Sequence, residues 1–271
     1  MVNIENLIKR KIWEYYEANS ENSLDTNGYV SKPEYNLISG IEMDDFRGDF
    51  EEGSGNELYK KFCAAHSSSA LVVNTFARWR KEPSSLNIFG NTNFNTMKFE
   101  GKCSTGLKGT PPNLDILLSS DDSILGVESK FIEYLQPKKP LFSKSYQHKN
   151  LPQVEDEWWR LLEKVRNGNP QYLDIAQLIK HYLGLRYLNT NEGFENYETT
   201  LLYLFWEPEN WEKYEIFINH RKEIEDFNNH VKSTAVRFVA KSYPELWKEW
   251  ESQKNTPSHI DNLRSRYSLL I

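Results

Sequence analysis

Two short apolar runs, Leu114-Asp115-Ile116-Leu117-Leu118 and Ile124-Leu125-Gly126-Val127-Glu128, flank the polar stretch Ser119-Ser120-Asp121-Asp122-Ser123. Runs of this length on either side of turn residues read as the arms of a β-hairpin. A turn centred between Asp121 and Asp122 sets Asp115 opposite Glu128, with Cβ atoms about 4.5–5.5 Å apart. Because side chains alternate faces along a strand, Lys130 projects from the same face as both acids. Directly opposed like charges destabilise a hairpin, and an unpaired charge in a strand flanked by apolar residues is expensive. Either Lys130 alone offsets the two acids, as in an ordinary salt-bridged hairpin, or a cation joins all three.

The second alternative has a definite chemistry. Magnesium prefers oxygen ligands, commonly takes one or two carboxylates, and keeps waters that substrate phosphates can replace. A bound divalent ion acidifies water and polarises a phosphoryl oxygen, while a neighbouring lysine orients or deprotonates the attacking water. Phosphodiester hydrolysis is the reaction expected of such a cluster.

Pro112-Asn113-Leu114-Asp115 together with Glu128-Ser129-Lys130 resembles the signature of the PD-(D/E)XK nuclease superfamily, although Asn113 and Leu114 stretch the usual Pro-Asp doublet. The resemblance covers roughly residues 50–206. It implies a restriction-endonuclease-like fold of the α/β (α+β) class: an αβββαβ core with a central mixed sheet flanked by helices, extended by N- and C-terminal helices. It further implies Asp115 and Glu128 as metal ligands, the Ser129 backbone carbonyl as a further ligand, and Lys130 as the catalytic lysine. Mg2+ would be the cofactor, with Mn2+ able to substitute, and nucleic acid, DNA foremost, the partner.

The order of elements agrees with that core. Leu58, Phe62, Ala65, Val72, Val73 and Phe76 have a mostly helical spacing that predicts a first helix over 57–78. A strand follows at 95–101, then the hairpin, then a helix over 171–187 whose apolar side carries Tyr172, Ile175, Ile179, Tyr182 and Leu183, and a strand at 199–206. Many superfamily members carry an additional acid on the first helix, which makes Glu57 a candidate ligand or base. Ser54-Gly55-Asn56-Glu57 also fits a capping box, and both roles stay open. Gln177 and His181 form a polar strip on the second helix. Some members place a glutamine there near the scissile phosphate, and an exposed helix face explains the strip equally well. His66 and Ser67-Ser68-Ser69 fall inside the predicted first helix, where small residues allow close packing on the sheet; contact with substrate phosphate is the alternative role.

Residues 131–150 contain Lys138, Lys139, Lys144 and Lys149 against the single acid Glu133, with Tyr134, Phe142 and Tyr146 between them. Cations for phosphates and aromatics for stacking suit a nucleic-acid-contacting loop; a solvated lysine-rich loop has the same composition. The net charge of −6 opposes a protein that coats DNA nonspecifically, but not a local cationic groove. The acidic run over 42–52 reads as a solvated loop leading into the first helix.

With 271 residues and 38% hydrophobic content the chain can bury a substantial core. One elaborated domain over 1–271 is expected, with a mainly helical extension from 207 that includes a short strand at 236–240 and a helix beginning at Pro244. Residues 1–19 form an amphipathic helix without a signal-peptide core, and no run approaches a membrane span. Cytoplasmic residence is the simplest expectation. Cys63 and Cys103 make no C-x-x-C pattern, and the histidines show no zinc spacing. Gly101 to Lys108 fails as a P-loop because Leu107 occupies the lysine position and a strand follows. Aromatics in the C-terminal helices would support a homodimer if exposed; core burial is the alternative. The rivals to a nuclease are a noncatalytic nucleic-acid-binding domain that keeps the fold and a structural or interaction protein in which the Asp115, Glu128 and Lys130 pattern is incidental.

Overall fold

The Ser-Asp-rich stretch does fold as a hairpin turn. Ser120 Oγ accepts the N–H groups of Asp122 and Ser123 at 3.3 and 3.0 Å, and Ser120 N–H donates to the Ser123 carbonyl at 2.9 Å. The computed structural model describes residues 4–52, 57–166, 168–169, 171–191, 193–253 and 256–271. Along the chain these form α1 (Ile4–Asn19), α2 (Arg47–Glu52), α3 (Ser68–Phe76), β1 (Thr96–Lys102), β2 (Asn113–Ser119) and β3 (Ser123–Lys130). There follow α4 (Asp156–Arg166), α5 (Ile175–Asn191), β4 (Glu198–Phe205), α6 (Glu215–Val231), β5 (Arg237–Ser242), α7 (Tyr243–Trp250) and α8 (Pro257–Tyr267).

The strands make one mixed sheet in the order β1-β2-β3-β4-β5, antiparallel for the first two ladders and parallel for the last two. The αβββαβ order is therefore present, with β5 added beside β4. Ladder pairs Ile116↔Val127, Leu117↔Gly126 and Leu118↔Leu125 hold the register expected from the turn. Every residue of β3 except Lys130 is buried, as a strand covered on both faces requires. One contiguous hydrophobic cluster runs from Ile8 to Leu269 and draws on the sheet and the helices around it.

Two expectations need correction. The first helix is confined to Ser68–Phe76, because Ser67 caps its N-terminus by accepting Ala70 N–H at 3.2 Å. The preceding backbone pairs elsewhere: Val30 N–H donates to Cys63 O and Ala65 N–H to Gly28 O, each at 2.9 Å. Glu57, His66 and Ser67 consequently precede the helix, and the rest of the proposed capping box, residues 53–56, lies outside the described residues. Second, the acidic run is not simply a solvated loop. Part of it is α2, whose Asp49 accepts Phe99 N–H at 2.9 Å and meets Arg80 at 3.2 Å, closing the outer edge of β1. Of the two readings open for the C-terminal aromatics, core burial holds for Tyr243, Trp247, Trp250 and Tyr267, each no more than 1% exposed. Among the described residues no helix is long and apolar enough to cross a membrane.

Candidate active site

The site forms where the sheet opens. The β2–β3 ladder ends at Ile116↔Val127, while β2 stays paired with β1 as far as Lys102↔Asn113 and β3 with β4 as far as Lys130↔Phe205. At the opening Asp115 Oδ2 accepts the Ser129 N–H at 2.6 Å. On the other side of Asp115, the pairs Phe99↔Ile116 and Gly101↔Leu114 bring Glu100 level with it. Glu100 has φ +51°, a left-handed conformation unusual for a residue with a side chain. Register thus aligns three acids, one per strand: Glu100, Asp115 and Glu128. Glu57 joins them from the turn before α3, where its Oε1 accepts from Ser69 Oγ at 3.2 Å and lies 4.0 Å from Lys61.

All four acids line one cleft of about 790 Å3 together with Lys130 and Gln177. Their electrostatics differ. Burial, reinforced by the Glu128 charge, holds the Asp115 carboxyl well above its ordinary range. Burial and the nearby Glu57 push Glu100 up to about 7. Burial alone would raise Glu128 as well, yet Lys130 and His181 hold it down at about 2. For Lys130, burial opposes the charged form, but Glu128 and Asp115 outweigh it and keep the amine protonated.

The polar strip of α5 faces this strand. Lys130 Nζ donates to Gln177 Oε1 at 3.0 Å and also contacts Glu128 Oε1. His181 is 1% exposed, with Nε2 2.7 Å from Glu128 Oε2 but off the hydrogen-bonding direction. The exposed-face explanation is thereby removed for His181. From α7, the Tyr243 hydroxyl meets Ser129 Oγ at 2.7 Å and anchors the strand between Glu128 and Lys130.

The lysine-rich segment contributes less than its composition suggested. Lys138 lines the cleft, 3.6 Å from Asp174; Lys139, Lys144 and Lys149 are exposed outside its lining. Tyr134 is a core residue, donating to the Trp206 carbonyl at 2.6 Å and stacking on His220 at 3.9 Å, so it offers no face to a base. Phe142 and Tyr146 are half-buried against each other at 5.6 Å. Glu100, His181 and Tyr243 are residues at the site that the sequence pattern did not single out for it. Continuing the hairpin register into β1 locates Glu100; nothing local marks His181 as buried.

The donor chemistry suits a hard cation. Among the described residues no three His, Cys, Asp or Glu side chains are arranged to hold a metal by themselves. Two carboxylates plus a backbone carbonyl, with the remaining positions left to water and substrate, is a magnesium-like set rather than a zinc one.

A mixed five-stranded sheet with flanking helices, its acids gathered where two antiparallel strands part, places the chain in the restriction-endonuclease-like class. Residues 6–268 match the family described as restriction endonuclease associating with ARP, and the chain belongs to that family. No curated protein and no solved structure matches it.

Proposed function

We propose that the chain is a metal-dependent endonuclease that hydrolyses phosphodiester bonds in DNA. Asp115 and Glu128 would hold Mg2+ or Mn2+, with the Ser129 carbonyl as a further ligand. The convergence of Asp115, Glu128 and Lys130 in one cleft, at the point where β2 and β3 separate, carries the proposal. The ion, when bound, supplies Lewis acidity and a more acidic water. Lys130, protonated in its present pairing, serves as a donor that orients the attacking water and neutralises charge on the phosphate. Gln177 positions the Lys130 amine. Glu57 and Glu100 are further oxygen donors on the cleft wall, Glu57 as ligand or base. Lys138 at the cleft, with Lys139, Lys144 and Lys149 beyond it, would meet the polynucleotide backbone.

The family is named for association with ARP; an ARP partner for this chain is part of the same proposal, and co-purification of the two tests it. The central experiment is cleavage of supercoiled plasmid and single-stranded DNA with Mg2+ or Mn2+, beside Lys130→Ala prepared identically. Metal-dependent cutting by the wild type alone supports the nuclease. Equal cutting by both proteins rejects the site, and DNA binding without cutting by either transfers the fold to a noncatalytic binding role.

A further inference from the structure

His66 lies in the same cleft but among the described contacts touches none of Asp115, Glu128 and Lys130. Its ring sits in a built setting. Trp13 Nε1 donates to His66 Nδ1 at 3.4 Å, and Tyr29 stands edge-on at 6.3 Å. Trp13 in turn packs against Gly28: a Cβ there would sit 2.1 Å from the indole, and φ is +80°. No side chain larger than hydrogen fits that position. The segment bearing His66 is tied to the same turn through Ala65 N–H to Gly28 O at 2.9 Å and the Tyr29↔Ala64 bridge.

An indole N–H only donates, so Nδ1 must accept, and the proton of the neutral ring belongs on Nε2. Burial, with the Lys9 charge, lowers the imidazole to about 4, which keeps the ring neutral near pH 7. Nε2 has no hydrogen-bond partner among the described residues. The cleft therefore contains a rigidly held, uncharged N–H donor that the cutting chemistry does not use.

We propose that His66 is a substrate-contacting residue whose Nε2–H donates to a phosphate oxygen of the bound polynucleotide, away from the bond being cut. The proposal rests on the nuclease reading of the cleft. A contact of this kind acts equally in ground and transition states, so it sets KM and leaves kcat alone. A neutral donor also holds phosphate without competing with Lys130 for Glu128.

The test compares wild type, His66→Leu and His66→Gln for binding of a fluorescent DNA oligonucleotide without metal, and for KM and kcat in cleavage with Mg2+. His66→Leu is expected to weaken binding and raise KM roughly 3- to 10-fold, the worth of one neutral hydrogen bond, at unchanged kcat. His66→Gln, which keeps a neutral donor, recovers most of the loss. Wild-type behaviour in His66→Leu overturns the proposal while leaving the nuclease intact, as does a loss that tracks a lowered Tm and is not rescued by glutamine. A 15N NMR spectrum showing the proton on Nδ1, or a charged ring at pH 7, overturns it alone. If the wild type neither binds nor cuts DNA, the nuclease reading fails and this contact falls with it.

Discussion

Asp115 and Ser129 are joined side chain to backbone: the Asp115 carboxylate takes the Ser129 N–H at 2.6 Å, just past the last ladder pair of β2 and β3. A side chain thus replaces a strand partner where the sheet opens, and an acid is fixed beside Glu128 despite the repulsion. The same bond decides which substitutions the position accepts.

Asp115→Asn keeps an oxygen for Ser129 N–H and removes the charge. The folded-state pKa of Asp115 is raised, so its ionisation destabilises the fold as pH rises from the ordinary carboxylate range through the elevated value. Without metal, Asp115→Asn should therefore be more stable than wild type at pH 8 and equal to it near pH 3, while Mg2+-dependent cutting is lost. Urea midpoints at the two pH values check this. A variant less stable than wild type at pH 8 would show that the repulsion is already compensated.

Lys130 and Glu128 form a buried pair, and removing one member leaves the other charge unpaired. Lys130→Met should cost about 3–5 kcal/mol without metal, and Glu128→Gln in the same chain should restore much of it. Both proteins should be inactive. Additive losses in the double-mutant cycle would mean that the two groups do not depend on each other.

Glu100 gives the stability curve a distinct pH window. Its folded carboxyl titrates at about 7 against an ordinary 4.5. The Glu100 contribution to stability is complete below about 4.5 and is lost as pH rises through about 7, by roughly 3 kcal/mol. Glu100→Gln should flatten that fall, and Mg2+ should raise Tm more at pH 8 than at pH 6, because the ion offsets the ionised acids. Identical pH profiles for wild type and Glu100→Gln would remove Glu100 from the cluster.

What the sequence disclosed and what it hid follow from the range of the interactions involved. The register that aligns Asp115 with Glu128 is set by a short turn and strict alternation, both local. β4 and the added β5 were visible as apolar runs for the same reason. The start of α3 was not, because residues 63–65 are claimed by backbone partners at 28–30, a pairing that no helical periodicity reveals. The burial of His181 depends on α5 packing against β3, where Glu128 awaits it. α4 carries Trp158, Leu161, Leu162 and Val165 at helical spacing, a signal open to the same periodicity test. Composition groups the lysines of 131–150, yet of these only Lys138 lines the cleft, since composition does not say which way a loop runs.

The seating of α5 also depends on Gly184. A Cβ there would meet Cys103 Cβ at 2.8 Å and the Cys103 carbonyl oxygen at 2.9 Å. Glycine to alanine in a helix gains about 1 kcal/mol of intrinsic propensity, but overpacking against a buried neighbour costs about 1–3 kcal/mol. A backbone carbonyl cannot swing aside as a flexible side chain does, so Gly184→Ala should be a net loss of about 1–2 kcal/mol. The relief available is for α5 to lift, carrying Gln177 and His181 away from Lys130 and Glu128. Activity in Gly184→Ala should therefore fall at temperatures where the protein is still folded. Gln177→Ala serves as the comparison: it removes the Lys130 contact directly and should lower activity with little change in Tm. Full activity in a destabilised Gly184→Ala would show that the site tolerates movement of α5, and that Gln177 and His181 are held there for packing alone.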